Sequence, residues 1–391
     1  MAFVHEHSCE CAKTELDLFT ILRHGQVLKK EVIKKVNPLT NIADGLIEFV
    51  IPSARSDYIN IGSMLLHIEA KITNANGSNL AADATVGPSH FWLHSLFNQI
   101  EVYLNRKHIS DASPTYYYRA MIETLSNYGG DGKSMQIGAA IFEKDTAGKM
   151  NVANPKADDG DANMGLNCRY TFTSLSKTVD MIGQIHGDIL FQPKYLLNGV
   201  EVRLKLHRTK NQFCLISSTE NPAFKVVITN ATLLMRKVKL SPSIQLVHVE
   251  ALKHGTAKYP IHRCIMKIAS IPADTMSLNK DLIFLSQLPK RIIPCLVSNT
   301  SFNGSYETNP FNFQNYGITS LVLNVRGEKV PAKPLKTDFT AAGGRSCIMA
   351  YYTLFTGTNK MGQDQGNGIT RDEYPEGYTI FAFDRANITS I

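Results

Sequence analysis

The sequence predicts an all-β protein with a few short connecting helices. Alternating apolar and polar residues recur along the chain, and Asn, Gly and Pro bound most of these stretches, which is typical of half-buried antiparallel strands. Helical periodicity is confined to YYYRAMIETLSNYGG, SIQLVHVEALKHG and RSCIMAYYTLFTG. Hydrophobic residues make up 43% of the 391 residues and charged residues 19%, as expected for a globular chain long enough for two domains.

The strand-like stretches present one apolar face each. In LIEFVIP, Ile47, Phe49 and Ile51 alternate with less apolar neighbours, and an Asn/Gly turn ends DYINIGSMLLHIEAKITNANG. The apolar face of that second stretch consists of Met64, Leu66, Ile68, Ala70 and Ile72. The same pattern recurs in FNQIEVYLNRKHIS, GVEVRLKLHRT, FKVVITNATLLMRKVKL, RCIMKIASIP, RIIPCLVSN, ITSLVLNVRGEKV and GYTIFAFD.

Two parts of the chain share one order of elements. In the first half, IEVYLNRKHIS predicts a strand, a tight turn at Asn105 and Arg106, and a return strand, before the helix of YYYRAMIETLSNYGG. In the second half, LVLNVRGEKVP and RSCIMAYYTLFTG repeat that order roughly 220 residues later. The repeat predicts two similar β-domains in tandem.

The boundary between the domains is predicted near Ser241. SPSIQLVHVEALKHG reads as a linking helix, because Ser241 can cap it, Pro242 suits the first helical position and Gly255 suits its end. The chain then divides into an N-terminal arm (residues 1–45), a first domain (46–240) and a second domain (241–391). The arm is basic and weakly amphipathic, and its cations include Lys29, Lys30, Lys34 and Lys35.

Cysteine usage and charge limit the classes of function. Most of the seven cysteines are scattered, and several lie in apolar stretches, as Cys295 does in RIIPCLVSN. Free thiols fit this pattern better than a disulfide framework, so we expect assembly in a reducing compartment, the cytosol or nucleus. The net charge of +7 permits contact with nucleic acid without the dense basic patch of a dedicated nucleic-acid-binding protein. Neither a secretory signal nor a membrane span is expected.

The stretch HEHSCECAK suggests a metal site, because His5, His7, Cys9 and Cys11 stand at alternate positions. Residues two apart in an extended strand are separated by about 6.6 Å, so these four side chains would spread over about 20 Å. Zinc ligands must instead converge to about 2.0–2.3 Å from one ion. We therefore predict no metal site here, and the stretch reads as part of an arm.

Three other patterns could mark sites. Arg203, Lys205 and His207 share one strand face, for which a solvated face is favoured over contact with nucleic acid. His186 and Asp188 could form an acid–base pair, but the sequence supplies no partner nucleophile. NYGGDGK lacks the spacing of a phosphate-binding loop and is predicted to end a helix. With no G-x-S-x-G or H-E-x-x-H motif present, the sequence favours a structural or binding role over catalysis.

An ordered set of segments resembles one protein family. These segments are ECAKTELDLF, DYINIGSMLLHIEAKI, LHSLFNQIEVYLN, YYYRAMIETLSNYG, FQPKYLLNGVEVRLKL, AKYPIHR, NPFNFQNYGITSLVLNVRG and GYTIFAFD. Together they resemble the major capsid protein (hexon) of Polinton/Maverick elements and adintoviruses, including related open reading frames in animal genomes. The similarity covers nearly the whole chain, and HEHSCECAK leads directly into the family's N-terminal arm.

The resemblance implies a double jelly-roll, which consists of two eight-stranded antiparallel sandwiches in tandem. It also implies pseudo-hexagonal homotrimeric capsomers that join neighbouring capsomers, penton proteins and minor capsid proteins in an icosahedral shell around double-stranded DNA. The protein would be located in the virion after assembly in the host nucleus or cytoplasm. No enzymatic activity, cofactor, metal or small-molecule substrate is expected. Lys29, Lys30, Lys34 and Lys35 of the arm would face the interior, where they could contact DNA phosphates.

The sequence departs from the family at its end and leaves one alternative open. The family continues beyond FAFD, whereas this chain stops at FAFDRANITSI, so either the last strands of the second jelly roll are missing and their partner edges are exposed, or this member completes the sandwich in another way. The alternative is a carbohydrate- or receptor-binding jelly-roll protein, which would display aromatic rings. Trp92 and the Tyr116, Tyr117 and Tyr118 cluster are instead expected to be buried.

Overall fold

A computed structural model describes residues 28–43, 45–54, 56–110, 113–158, 160–281, 283–284, 289–325, 328–340 and 346–384. The strands within these residues are β1 (Leu28–Val36), β2 (Leu46–Ile51), β3 (Asp57–Asn74), β4 (Val86–Pro88), β5 (Phe97–Leu104), β6 (Lys107–His108), β7 (Val179–Gln184), β8 (Val202–Arg208), β9 (Leu215–Ser217), β10 (Phe224–Leu240), β11 (Arg291–Ile292), β12 (Ser320–Val325), β13 (Glu328–Lys336) and β14 (Phe383–Asp384). The helices are α1 (Trp92–Ser95), α2 (Tyr116–Asn127), α3 (Gly130–Ser134), α4 (Met164–Thr173), α5 (Asn211–Cys214), α6 (Pro242–His254), α7 (Asn299–Asn303) and α8 (Ile348–Thr356).

Eight strands of the first domain form a sandwich of two four-stranded antiparallel sheets. One sheet has the order β1-β10-β3-β7 and the other has the order β2-β8-β5-β6. When these eight strands are numbered 1 to 8 in chain order, the sheets read 1-8-3-6 and 2-7-4-5. This is the strand order of a jelly roll, in which two Greek keys interlock.

The inward faces of both sheets meet in one hydrophobic core. Ile47, Phe49 and Ile51 of β2 are at most 1% exposed, as their alternation predicts. The predicted face of β3 is buried in full, from Met64 to Ile72. Because strand side chains alternate with period two, a slip of one residue would turn this whole face to solvent, so the apolar pattern fixes the register.

The β5–β6 hairpin turns at Asn105 and Arg106, as predicted. Both residues adopt left-handed backbone conformations, with φ of 46° and 67°, which is the geometry of a two-residue type I′ turn. Asn tolerates this conformation, whereas Arg106 occupies a position at which glycine is favoured.

The second domain has fewer regular strands in its described residues. β12 pairs with β13, β11 pairs with β14, and isolated bridges join Cys295 to Ile380 and Phe313 to Tyr378. The β12–β13 hairpin is followed by α8, just as the β5–β6 hairpin is followed by α2. The predicted repeat is therefore confirmed as an order of elements.

The predicted all-β double jelly-roll class is confirmed in its antiparallel strands, its short helices and the complete strand order of the first jelly roll. The linking helix is confirmed as α6, which begins at Pro242. Its Ser241 hydroxyl lies 2.9 Å from the Ser243 hydroxyl instead of capping a backbone N–H.

Three predictions of local structure need correction. RCIMKIASIP was predicted as a strand but has no regular secondary structure, because no strand among the described residues pairs with it. Helix α4 forms outside the three segments in which the sequence predicts helices. Residues Leu28–Val36 of the predicted arm are strand β1, which pairs with β10 at the edge of the first sheet. The division of the chain at residues 46 and 241 stays a prediction.

No helix in the described part of the chain is long and apolar enough to cross a membrane. The five described cysteines carry free thiols, and Cys214 and Cys347 among them are buried.

Candidate functional site

The sequence-predicted metal candidates find no support in the described residues. His5, His7, Cys9 and Cys11 lie outside them. Across the ranges that the structure describes, no group of three or more His, Cys, Asp or Glu side chains could hold a metal ion. The expectation that the N-terminal stretch binds no metal stays a prediction.

His186 and Asp188 do not form an acid–base pair with each other. His186 Nδ1 lies 2.7 Å from the Glu123 carboxylate, whereas Asp188 accepts a hydrogen bond from Arg119 at 2.5 Å. Asp188 also accepts one from the backbone N–H of Cys264 at 3.1 Å. The two side chains therefore have separate structural partners.

The predicted basic face on β8 contacts other residues of its own sheet. Its members are Arg203, Lys205 and His207. Arg203 lies 3.0 Å from the Glu48 carboxylate, and His207 lies 3.3 Å from that of Glu101. The Lys205 ammonium stands 5.4 Å from the centre of the Tyr103 ring. These contacts favour a solvated, internally paired face over a surface for nucleic acid.

The NYGGDGK stretch ends α2 at Asn127 and continues into the short helix α3. Its Lys133 side chain is buried, and its ammonium donates to the backbone carbonyls of Leu125 and Asn367. Burial lowers the pKa of Lys133 to about 7. The stretch thus joins the two domains, and its lysine does not face solvent as a phosphate-binding group would.

The lysines of the predicted arm lie on the edge strand β1. Lys30, Lys34 and Lys35 are exposed, and the cross-strand partner of Lys30 is another lysine, Lys239 of β10. Lys30 and Lys34 occupy alternate positions and so share a face of the sheet, whereas Lys35 belongs to the opposite face. Lys29 lies on the same strand. The structure brings these residues to one sheet edge without placing them on a single face.

A cavity of about 270 Å³, here called the histidine cavity, lies beside β7. His94 and His186 both line it, and their ring centres are 4.9 Å apart. His94 Nδ1 lies 2.7 Å from the Tyr116 hydroxyl. Phe91, which also lines the cavity, has a left-handed backbone with φ of 54°, an uncommon conformation for a bulky residue.

The chemistry available to the histidine cavity is limited. Burial, together with the neighbouring His186, lowers the pKa of His94 well below its usual value. The Tyr116 hydroxyl is buried, and burial raises its pKa, so it stays protonated. Because each histidine uses Nδ1 in a hydrogen bond and no nucleophile is paired with either ring in the described residues, this arrangement supports packing better than catalysis.

A second buried cluster, here called the Asp145 network, joins the two domains. Asp145 is 2% exposed, and its carboxylate accepts hydrogen bonds from Arg169 and Asn309, each at 2.7 Å. His90 Nδ1 lies 3.4 Å from the same carboxylate. The Tyr378 hydroxyl donates to the backbone carbonyl of Asp145 at 2.7 Å. Asn309 and Tyr378 belong to the second domain, so this network fastens that domain to the first.

Burial and the neighbouring groups shift the pKa values of Asp145 and His90 in this network. Burial alone would raise the pKa of Asp145, but Arg169, His90 and the hydrogen bond from Asn309 together outweigh burial and lower this pKa, so Asp145 stays ionised. Burial lowers the pKa of His90 to about 3. Arg169 also donates to the carbonyls of Pro88 and Glu143. No local sequence pattern indicates this network, because its members are far apart in the chain.

The aromatic residues that the sequence singles out as candidates for a sugar-binding site are buried. Trp92 is 0% exposed, and Tyr116, Tyr117 and Tyr118 are 4–6% exposed, as predicted. The Tyr118 ring stacks on Phe302 at 5.8 Å, so this cluster packs against the second domain.

Comparison with known proteins gives two kinds of similarity. No family model matches the chain. An uncharacterized protein of Caenorhabditis elegans is 25% identical over 360 residues, which cover 88% of this chain and 80% of the relative.

Similar solved structures include three from viral capsids. The PBCV-1 virus capsid model has a TM-score of 0.43 and 9% identity, and the match covers 94% of this chain and 80% of the other. The Faustovirus major capsid protein has a TM-score of 0.34 and 9% identity, and the match covers 60% of this chain and 58% of the other. The mavirus major capsid protein has a TM-score of 0.30 and 14% identity, and the match covers 75% of this chain and 56% of the other. The chain thus spans less than two thirds of the Faustovirus and mavirus chains.

Proposed function

We propose that this chain is a structural capsid subunit, a double jelly-roll major capsid protein of the Polinton/Maverick and adintovirus kind. The observation that carries the proposal is the strand order of the first domain, 1-8-3-6 facing 2-7-4-5. Jelly rolls of this kind build viral capsid and lectin domains. The ordered sequence segments that resemble the capsid family add support over nearly the whole chain.

The lectin alternative is disfavoured because its sequence-predicted aromatic candidates are buried. A sugar site needs aromatic rings at the surface, whereas Trp92 and the tyrosines at 116–118 are at most 6% exposed. An enzyme is disfavoured because the buried titratable groups pair with one another, as Glu123 does with His186 and Asp145 does with Arg169.

In the proposed assembly, three copies form a pseudo-hexagonal capsomer, and capsomers tile an icosahedral shell around double-stranded DNA with penton and minor capsid proteins. The virion would be its location, after assembly in the host nucleus or cytoplasm. Lys29, Lys30, Lys34 and Lys35 would lie toward the interior and contact DNA phosphates. The exposure of Lys30, Lys34 and Lys35 supports this part of the proposal.

Size-exclusion chromatography with light scattering, followed by negative-stain electron microscopy, tests the proposal. We expect particles of three times 43.4 kDa with a hexagonal outline, or closed shells. A protein that stays monomeric at all concentrations and binds glycans on an array would contradict it.

A further inference from the structure

One side of the first sheet changes from hydrophobic core to lysine within two residues of β10. Leu233 and Met235 are 0% and 3% exposed. Lys237, the next residue on the same side, is half-buried, and Lys239 is exposed. All four side chains lie on one side because strand residues alternate with period two. The core-facing side of the sheet therefore continues beyond the core at this end of β10.

Strand β1 adds two lysines to this extension. Lys30 lies directly opposite Lys239, and Lys34 lies opposite Met235, so both belong to the same side of the sheet. Both lysines are exposed. The set of Lys30, Lys34, Lys237 and Lys239 is called the lysine face below.

The fold does not balance the repulsion on the lysine face. Like charges directly opposite each other in an antiparallel pair are destabilising, and Lys30 faces Lys239 in this way. Asp57 of β3 lies opposite Lys239 on the other flank, but in the described part of the chain no ion pair joins any of the four lysines to a carboxylate. The reverse side of the same strands does carry a pair, because Arg236 lies 3.9 Å from the Glu31 carboxylate. A bound anion would relieve the repulsion that the lysine face retains.

Protection of the sheet edge does not account for the whole lysine face. Lysines on an edge strand hinder pairing with other chains, which would explain Lys30 and Lys34 of β1. Strand β10, however, is an inner strand that is hydrogen-bonded to β1 on one side and to β3 on the other. Lys237 and Lys239 therefore need another explanation.

We propose that the lysine face binds the phosphates of double-stranded DNA. The inference rests on the proposed capsid function. It narrows the DNA contact among the predicted arm lysines to Lys30 and Lys34, and it adds Lys237 and Lys239 of the first domain. Lys35 lies on the reverse side of the sheet and takes no part.

The dimensions of the lysine face suit a phosphate backbone. Lys30 and Lys34 are four residues apart on one strand, which corresponds to about 13 Å, and neighbouring strands lie about 4.8 Å apart. Each strand of duplex DNA carries a phosphate for about every 3.4 Å of the helix axis, so the face spans about four phosphates. Because a lysine contacts a phosphate as a point charge and reads no base, we expect binding that is independent of base sequence.

Two double variants each remove half of the lysine face. Lys30→Thr/Lys34→Thr removes the β1 half, and Lys237→Thr/Lys239→Thr removes the β10 half. Threonine suits strand positions, and each variant lowers the repulsion between opposed lysines, so folding should be retained. Circular dichroism and thermal unfolding of each full-length chain verify the fold, and light scattering verifies that the assembly state is unchanged.

Lys35→Thr/Lys71→Thr is the matched control. It removes two positive charges from the reverse side of the same sheet, because Lys71 stands between the buried residues Ala70 and Ile72 of β3. A loss of binding that followed net charge alone would be the same in the control as in the lysine-face variants.

The salt dependence of DNA binding gives the result. Fluorescence anisotropy of a labelled duplex of arbitrary sequence measures the binding constant of the full chain at salt concentrations between about 50 and 200 mM. Each neutralised phosphate contributes about −0.9 to the slope of the logarithm of the binding constant against the logarithm of the salt concentration. We expect the wild type and the control to share one slope, and each lysine-face variant to bind more weakly with a slope shallower by about 1.8.

Three results would overturn the inference. They are lysine-face variants with the slope of the control, a wild type that does not bind the duplex, and equally tight binding of poly-L-glutamate, which would indicate an acidic protein partner instead. All three leave the capsid proposal standing, because light scattering of the wild type measures assembly separately. A monomeric wild type that binds DNA through these lysines would contradict the capsid proposal and retain the lysine face as a DNA-binding surface.

Discussion

His90 makes the stability of this protein sensitive to acid. Its ring is 1% exposed, packs 4.4 Å from the Phe142 ring, and lies 3.4 Å from the Asp145 carboxylate. Burial outweighs the attraction of Asp145 and lowers the pKa of His90 from 6.5 to about 3. In the unfolded chain the same imidazole binds a proton below about pH 6.5.

The sign and size of the effect follow from proton linkage. Between pH 6.5 and 3 the unfolded state binds one more proton at His90 than the folded state, so the free energy of unfolding falls as the pH falls. The slope approaches about 1.4 kcal/mol for each pH unit once the unfolded imidazole is fully protonated, and the loss between pH 6.5 and 4.5 is about 2 kcal/mol. Asp145 contributes little in this window, because its lowered pKa affects stability only below about 3.8.

Urea unfolding of the wild type and of His90→Asn, at pH 6.5 and 4.5, measures this loss. Asn retains a polar group near Asp145 but does not titrate, so the pH-dependent loss of the variant should be smaller by about 2 kcal/mol. Buried His94 is unchanged in both proteins and cancels in the comparison. His254→Asn is the matched control, because the His254 side chain is 80% exposed, and its loss should equal that of the wild type. Equal losses in the wild type and His90→Asn would refute the reasoning.

Three further changes test other parts of the fold. Arg169→Met leaves the buried Asp145 carboxylate without its main partner and should lower the free energy of unfolding by about 3–5 kcal/mol, as measured by denaturant titration; a loss below about 1 kcal/mol would contradict a structural ion pair. Arg106→Gly relieves a left-handed backbone at the hairpin turn and should raise stability by about 0.5–1 kcal/mol, and an unchanged or lower melting temperature would argue against strain there. Burial lowers the pKa of Lys133 from 10.5 to about 7, so wild-type stability should gain about 2 kcal/mol from this group between pH 7 and 9. Lys133→Met should lack that gain, and parallel pH profiles would show that the carbonyls of Leu125 and Asn367 keep the ammonium charged.

The sequence predicts those strands whose partners lie within a complete sheet. The faces of β2 and β3 follow from alternation alone, because both strands cover one core with one side. RCIMKIASIP has a similar pattern but no strand beside it among the described residues, and pairing is not a property of the segment itself. The local pattern therefore predicts that a segment can form a strand. Whether the strand forms depends on whether another strand lies beside it to pair with.

The buried polar groups were beyond prediction for a different reason. Glu123 meets His186 across 63 residues of chain, and Asn309 meets Asp145 across 164. A charged residue in a mixed stretch reads as a surface residue, and only the fold reveals that its partner is buried with it. His186 and Asp188 show the converse: their spacing suggested a pair, and each has a closer partner on another element.

The Asp145 network explains how the two β-domains keep one relative position. In the proposed capsid shell, a flexible pair of domains would present its outer surfaces at variable angles, whereas assembly would need them at a fixed angle. Asp145 and Lys133 of the first domain each bond to the second, through Asn309 and Asn367. Leaving one member of such a buried polar group unpaired costs several kcal/mol, so the alternative domain arrangements that break these contacts are disfavoured. The contacts of Asp145 with Asn309 and of Lys133 with Asn367 thus favour a single orientation of the two domains, whereas the expected acid sensitivity of His90 comes from its burial.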